Sequence, residues 1–293
     1  MILVIVLYAL FALTFSVAKK ALLCSSPLIL TWARTLISAA CLLPIYWLKE
    51  RKFVWFKTSE LPCLVSYTVL IFITIMCANY ALLEIPSGKA ALIYTFSPLI
   101  TAIISYAVYR TKLTRHQVMG LLLGFAGIIT IIFSDNHDVS LNWQWPSLAE
   151  LSLMVGVTAY SISWFLVQPL ITKAKYSSIY INGLTSGVTS IICSLIMFAN
   201  HTTIPVTVDF WYWATIQALV SSVICYSLYM YLLNYYSANF LSFAYFIEPF
   251  FAAIYGWILL GEVPSTNFWA ASALITIGLM LFYQGELVNK NTN

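Results

Sequence analysis

The stretch "YFIEPFFAAIYGWILLGE", residues 245–262, is a run of hydrocarbon and aromatic rings interrupted by one carboxylate, Glu248. No other charged residue stands between Asp209 and Glu262, so Glu248 is not one member of a polar helix face. An ionised carboxylate at the middle of a membrane span costs on the order of 2.5–3.5 kcal/mol on insertion scales, and it must therefore face protein or water. Burial disfavours its charged form, so a proton or a cationic substrate would each relieve it. The structural alternative is a carboxyl that stays protonated and hydrogen-bonds a neighbouring helix.

The rest of the chain has the same character. Of 293 residues, 61% are hydrophobic and 8% charged, against roughly 25% charged in soluble domains. Apolar runs at about 2–18, 27–48, 61–83, 87–109, 117–134, 147–170, 178–200, 210–233, 238–260 and 267–284 are each long enough to cross a hydrocarbon core roughly 30 Å thick. The reading is an all-α integral membrane protein of ten transmembrane helices, with lipid as its surroundings and no soluble domain. The first run lacks a basic leading region and a small-residue cleavage site, so it reads as a span. Six cysteines without a C-x-x-C pair and three unclustered histidines give no expectation of a metal, a disulfide or any cofactor.

The net charge of +4 is a topology signal rather than a nucleic-acid footprint. With a cytoplasmic N-terminus, the inner connections collect Lys49, Arg51, Lys52, Lys57, Arg110, Lys112, Arg115, Lys173 and Lys175, with Lys290 on the tail; Lys19, Lys20 and Lys89 remain outside. The positive-inside rule then puts both termini in the cytoplasm. Shifting the sequence by 151 lays Tyr80 on Tyr231, Pro98 on Pro249, Ala102 on Ala253 and Gly127 on Gly278, and it superimposes the span boundaries. Five spans per half is odd, so a second copy must insert upside down. Matching loops have opposite bias: the basic connection at 49–57 corresponds to 200–209, which has no Lys or Arg. The expected organisation is therefore a five-helix repeat at 1–134, an inverted one at 147–284 and a short tail at 285–293, an arrangement typical of secondary transporters.

Three stretches carry a family resemblance: "SSPLILTWARTLISAACLLP" (25–44), with Arg34 seven residues after Pro27; "SPLITAIISYAVYRTKLTRHQVMGLLLGFAGI" (97–128); and "IEPFFAAIYGWILLGEVPSTNFWAASALITIG" (247–278). In this order the chain resembles the EamA-like branch of the drug/metabolite transporter superfamily over nearly its whole length. It departs from that pattern at Thr111, where many members are acidic, and at Asn182, Thr185 and Ser186, where an Arg would echo Arg34. The resemblance implies a basket of ten helices, in a bacterial inner membrane, around one central site that opens alternately to each side. It also implies a structural, helix-end role for Glu262.

Several residues are candidates for that site. Pro249 removes the helical partner of the Tyr245 carbonyl, and Pro98 that of Tyr94, so two kinks are expected to leave free carbonyls near Ser97 and Glu248 at one depth. Ser97, Thr101 and Ser105 form a stripe at i, i+4, i+8; Gln217, Ser221 and Cys225 form another beside Tyr226 and Tyr229. Tyr160, Trp164 and Gln168, and Tyr67 and Asn79, are further wall candidates. Ser and Thr often serve packing instead, whereas Gln and Asn need polar partners in hydrocarbon. Arg34 either snorkels to the headgroups, closes an outer gate, or captures a substrate carboxylate in a bidentate contact. The small faces at Gly120, Gly124 and Gly127, and at Gly183 and Gly187, suit close internal packing or a weak homodimer.

Interior rings and one carboxylate suit a cationic or ring-bearing metabolite: an amino acid or an amino-acid-derived cationic or zwitterionic compound with an ammonium or sulfonium centre, with protons as a second candidate partner. Within the resembling family, S-adenosylmethionine carriers meet that description, with antiport as one mode. Nucleotide-sugar or sugar-phosphate carriers are the main rival, but their anionic cargo wants more basic residues. A drug exporter, a channel or a membrane enzyme fits less well, since no nucleophile–base pair or acidic pair is evident.

Overall fold

The computed structural model describes residues 2–51, 54–85, 87–109, 114–134, 147–204 and 207–260, together with 273–274, 277–278, 280–282 and 284. Arg110, Thr111, Lys112, Asp135, Asp138, Glu262, Lys290 and the 285–293 tail, and the side chains of Lys89, Ser105 and Gly127, lie outside the described residues. The architecture is all-helical: α1 (Ile2–Leu22), α2 (Pro27–Glu50), α3 (Leu61–Glu84), α4 (Ser87–Tyr94), α5 (Ser97–Tyr109), α6 (Arg115–Ser134), α7 (Leu148–Thr172), α8 (Ser178–Ala199), α9 (Val208–Gln217), a π-helical segment (Ala218–Cys225), α10 (Tyr226–Leu232), α11 (Ala238–Ala244) and α12 (Glu248–Leu260). Among the described residues six helices are long and apolar enough to cross a membrane: α1, α2, α3, α7, α8 and the continuous Val208–Leu232.

Local chemistry sets the helix starts. Ser26 caps α2 with Pro27 in its first turn, a position where the missing N–H costs nothing. Ser147 and Glu150 form a reciprocal capping box on α7, and Ser237 accepts from the Phe240 N–H at 3.1 Å to start α11. The runs at 87–109 and 238–260 are each two helices rather than one kinked helix. α4 stops at Tyr94 and α5 begins at Ser97; α11 stops at Ala244, and a 3₁₀ turn (Tyr245–Ile247) leads into α12. That turn corrects one expectation. The Tyr245 carbonyl is not left free by Pro249, because it accepts the Glu248 N–H, the shorter 3₁₀ bond standing in for the missing α-helical one.

The most extensive pairings are α3 against α7 and α2 against α8, while α1 runs through the middle, touching α9, the π segment, α3, α4 and α12. Close approach is bought with small residues. A Cβ on Gly120 would sit 2.6 Å from the Gly278 carbonyl oxygen, one on Gly124 would meet the Phe246 ring at 2.6 Å, and one on Gly183 would crowd Leu42 and Leu43 at 3.1 Å. These glycines therefore face neighbouring helices of the same chain. Cross-helix polar contacts reinforce the pairs: Thr74 Oγ1 donates to the Gly156 carbonyl at 3.1 Å, and Trp32 Nε1 to Ser194 Oγ at 2.9 Å.

Candidate substrate-binding site

A cavity of about 40 Å³ lies at the centre of the bundle. α1 supplies Phe11, Thr14, Phe15 and Ala18; α2 supplies Arg34; α3 supplies Thr74, Ile75, Ala78, Asn79 and Leu82; the remaining walls are Tyr94, Tyr160, Gln217, Ser221, Tyr226 and Tyr245. Of the candidates read from sequence, Arg34, Asn79, Tyr94, Tyr160, Gln217, Tyr226 and Tyr245 are thus brought together.

Rings dominate the walls. Tyr94 and Tyr245 stack, with centroids 5.8 Å apart and planes 13° from parallel, and Tyr160 stands edge-on to both, at 5.8 and 5.7 Å. Behind them Trp164 stacks on Tyr229 at 3.8 Å and meets Tyr160, Tyr226 and Tyr67 at 5.4, 5.8 and 6.2 Å. Every interior ring singled out from sequence therefore belongs to one cluster. The sequence reading missed the α1 contribution. Phe11 lies 5.9 Å from Tyr226, Phe15 5.4 Å from Tyr94, and Tyr8 4.9 Å from Tyr245, while the Tyr8 hydroxyl donates to the Leu241 carbonyl. The available signal was the i, i+3, i+7 spacing of Tyr8, Phe11 and Phe15, one helix face.

Glu248 is fully buried, and neither carboxyl oxygen has a hydrogen-bond partner. It does not line the cavity; it opens α12 three residues after Tyr245. Ser97, its counterpart at the 151-residue shift, bonds Ser161 Oγ at 3.0 Å, and Thr101 Oγ1 donates back to the Ser97 carbonyl at 2.7 Å. Both are satisfied within the packing, as Asn79 is through Thr31 Oγ1 at 3.0 Å. Gln217 Oε1, Trp164 Nε1 and the Tyr229 hydroxyl are buried without partners. Gln168 is half-buried and stands outside the cavity walls. Pro98 and Pro249 are buried at the helix breaks.

Residues 1–133 and 147–284 match the EamA-like transporter family. The chain belongs to that family. It is an integral membrane transporter, not an enzyme. Among its relatives, a protein of Chlamydia muridarum (strain MoPn / Nigg) named S-adenosylmethionine/S-adenosylhomocysteine transporter is 30% identical over 93% of this chain and 88% of its own. The protein of that name from Chlamydia trachomatis serovar L2 is 29% identical over 93% and 85%. The uncharacterized inner membrane transporter YedA of Escherichia coli (strain K12) is 25% identical over 96% and 89%. A crystal structure of a protein 16% identical superposes with a TM-score of 0.71 over 96% of this chain and 93% of that one, a likeness of fold.

Proposed function

We propose that this EamA-like transporter exchanges an amino-acid-derived cation of the S-adenosylmethionine type across a bacterial inner membrane, by alternating access between two inverted five-helix repeats whose termini are both cytoplasmic. The single observation that carries the substrate class is the ring cluster with Glu248, a buried carboxyl without a partner, beside it. A sulfonium or ammonium centre is attracted to ring faces, a flat heterocycle stacks on them, and either a cation or a proton relieves the carboxyl. The chlamydial relatives' names agree with that chemistry.

The repeat is supported by register. The helix restarts at Ser97 and Glu248 differ by 151, and the caps Ser26 and Ser177 differ by the same number. α2 packs on α8, its own counterpart, and the α3–α7 contact is matched by that of α1 with α9 and the π segment. A cavity of about 40 Å³ has room for little more than water, whereas ligand pockets run roughly 300–1,000 Å³; admitting a ligand would require the surrounding helices to part. The anionic-cargo rival is disfavoured because Arg34 is the one charged side chain among the described cavity walls.

Purified protein in liposomes tests the reading. Uptake of labelled S-adenosylmethionine is expected to saturate and to accelerate when S-adenosylhomocysteine is loaded inside. Uptake that no cationic amino-acid-like compound inhibits would remove the substrate class; flux that never saturates would make it a channel. A pH gradient imposed on the same liposomes separates proton-coupled from passive exchange.

A further inference from the structure

Arg34 is 5% exposed and lines the cavity. Its Nε donates to Ser222 Oγ at 2.6 Å, its guanidinium carbon lies 5.2 Å from the Tyr226 ring centroid, and its Nη2 has no partner. A guanidinium keeps its charge in any protein environment. Glu248 is not the counter-ion, since both its oxygens are unpartnered as well. Snorkelling does not describe a side chain bonded across the bundle to the π segment. Closing a gate would need an acidic partner, and no carboxylate lines the cavity among the described residues. The support is built from the other side too: Asn182 Nδ2 donates to the Ser222 carbonyl at 2.6 Å and to Ser227 Oγ at 2.9 Å. Within the π segment both Ser221 and Ser222 are buried, and π-helical turns recur at functional sites.

We infer that Arg34 is the receptor for a carboxylate on the substrate, aimed by Ser222 and Asn182, so that the carrier selects amino-acid-type zwitterions and rejects otherwise identical amines. The planar fork suits this role because it meets a carboxylate with two parallel bonds, and a site built around a polar contact discriminates strongly against a ligand that lacks it. The inference rests on the proposed substrate-binding role of this cavity, though not on the sulfonium compound in particular.

The experiment measures binding to the full-length protein in lipid nanodiscs by ligand-induced thermal stabilisation, using matched pairs of acid and amine. The pairs are S-adenosylmethionine and the same sulfonium compound without its α-carboxylate, lysine and its decarboxylated diamine, and arginine and its decarboxylated amine. At least one acid is expected to bind about 30-fold or more tightly than its amine. Arg34→Met should abolish that preference by weakening the acid and not the amine; Arg34→Lys, which keeps charge but loses the fork, should retain only part of it; and Ser222→Ala should weaken the acid but not the amine. Preference in the lysine or arginine pair with no response to the sulfonium pair would sink the proposed substrate and leave the role of Arg34 standing. Equal binding within every pair, no binding by any compound, or an Arg34→Lys variant that folds with full preference would overturn the inference.

Discussion

Glu248→Met is expected to make the protein more stable and unable to transport. The carboxyl is fully buried with both oxygens unpartnered, and an unpartnered polar group costs about 1–3 kcal/mol on the scale of protein mutations. Methionine is close in volume, carries no polar hydrogen and makes favourable contacts with rings such as Tyr245 and Tyr94. Removing the unmet polar group should therefore return about 1–3 kcal/mol, less a few tenths for losing an acidic residue at the first turn of α12. For a chain of this length each kcal/mol moves the unfolding midpoint by about 2 °C, which gives a rise of about 2–6 °C. A thiol-reactive dye reads it as the rise above the native-state signal of exposed Cys24, since Cys193 and Cys225 are buried and react only on opening. Glu248→Gln, which keeps a buried polar group, should leave the midpoint near wild type; both variants should lose uptake in liposomes. A midpoint that falls by 2 °C or more in the Met variant would mean that the carboxyl has a partner after all. Uptake that survives in both would take Glu248 out of the mechanism.

Gly120→Ala places a methyl 2.6 Å from the Gly278 carbonyl oxygen and 2.9 Å from the Phe282 backbone nitrogen; these are backbone atoms, so the helices must part, and the dye midpoint should fall by the equivalent of about 1–3 kcal/mol. Gln168→Ala should leave uptake within twofold, because that side chain stands outside the cavity walls; a tenfold loss would contradict the placement. At the α2–α3 connection the Tyr176 hydroxyl donates to Glu60 Oε2 at 2.6 Å and holds that carboxyl below its usual 4.5. A depressed carboxyl stabilises the fold above its unfolded value and loses that contribution as pH falls through the folded one. The small advantage of wild type over Tyr176→Phe should accordingly be present above pH 4.5 and disappear on further acidification, as read by the dye midpoint at each pH.

The span limits were legible wherever a residue type forces them. Ser26–Pro27 opens α2, and Ser147 with Glu150 opens α7. The ring cluster was legible because Tyr67, Tyr94, Tyr160, Trp164, Tyr226, Tyr229 and Tyr245 lie far from the interfaces where aromatic belts belong. What sequence could not say is which face of a uniformly apolar helix turns inward. In lipid both faces are hydrocarbon, so the spacing that puts Tyr8, Phe11 and Phe15 on one face of α1 did not say that this face turns inward. The 3₁₀ turn at Tyr245–Ile247 and the π segment at Ala218–Cys225 were hidden for another reason. Each re-partners backbone groups without changing any side-chain pattern, so a missing Pro249 N–H looked like a free carbonyl. Gln168 misled because an amide at helical spacing says only that it needs a partner, not which direction it faces.

The two helix breaks differ in one respect that bears on how a ligand is sensed. Ser97 and Glu248 are counterparts, each the first residue after its break and each followed by proline. Across from Ser97, Ser161 on α7 supplies a hydroxyl at 3.0 Å. Subtracting 151 from Ser161 gives Leu10 on α1, the helix that packs on α12 as α7 packs on α5. A leucine offers no hydrogen bond, whereas Ser161 meets Ser97. A ligand shifts a conformational equilibrium only through contacts whose energy differs between the two states. The break before Ser97 is already satisfied by protein and gains little from any ligand. The break before Glu248 is held by nothing polar at its side chain, so a cation or a proton arriving there would meet a group that the protein leaves unsatisfied.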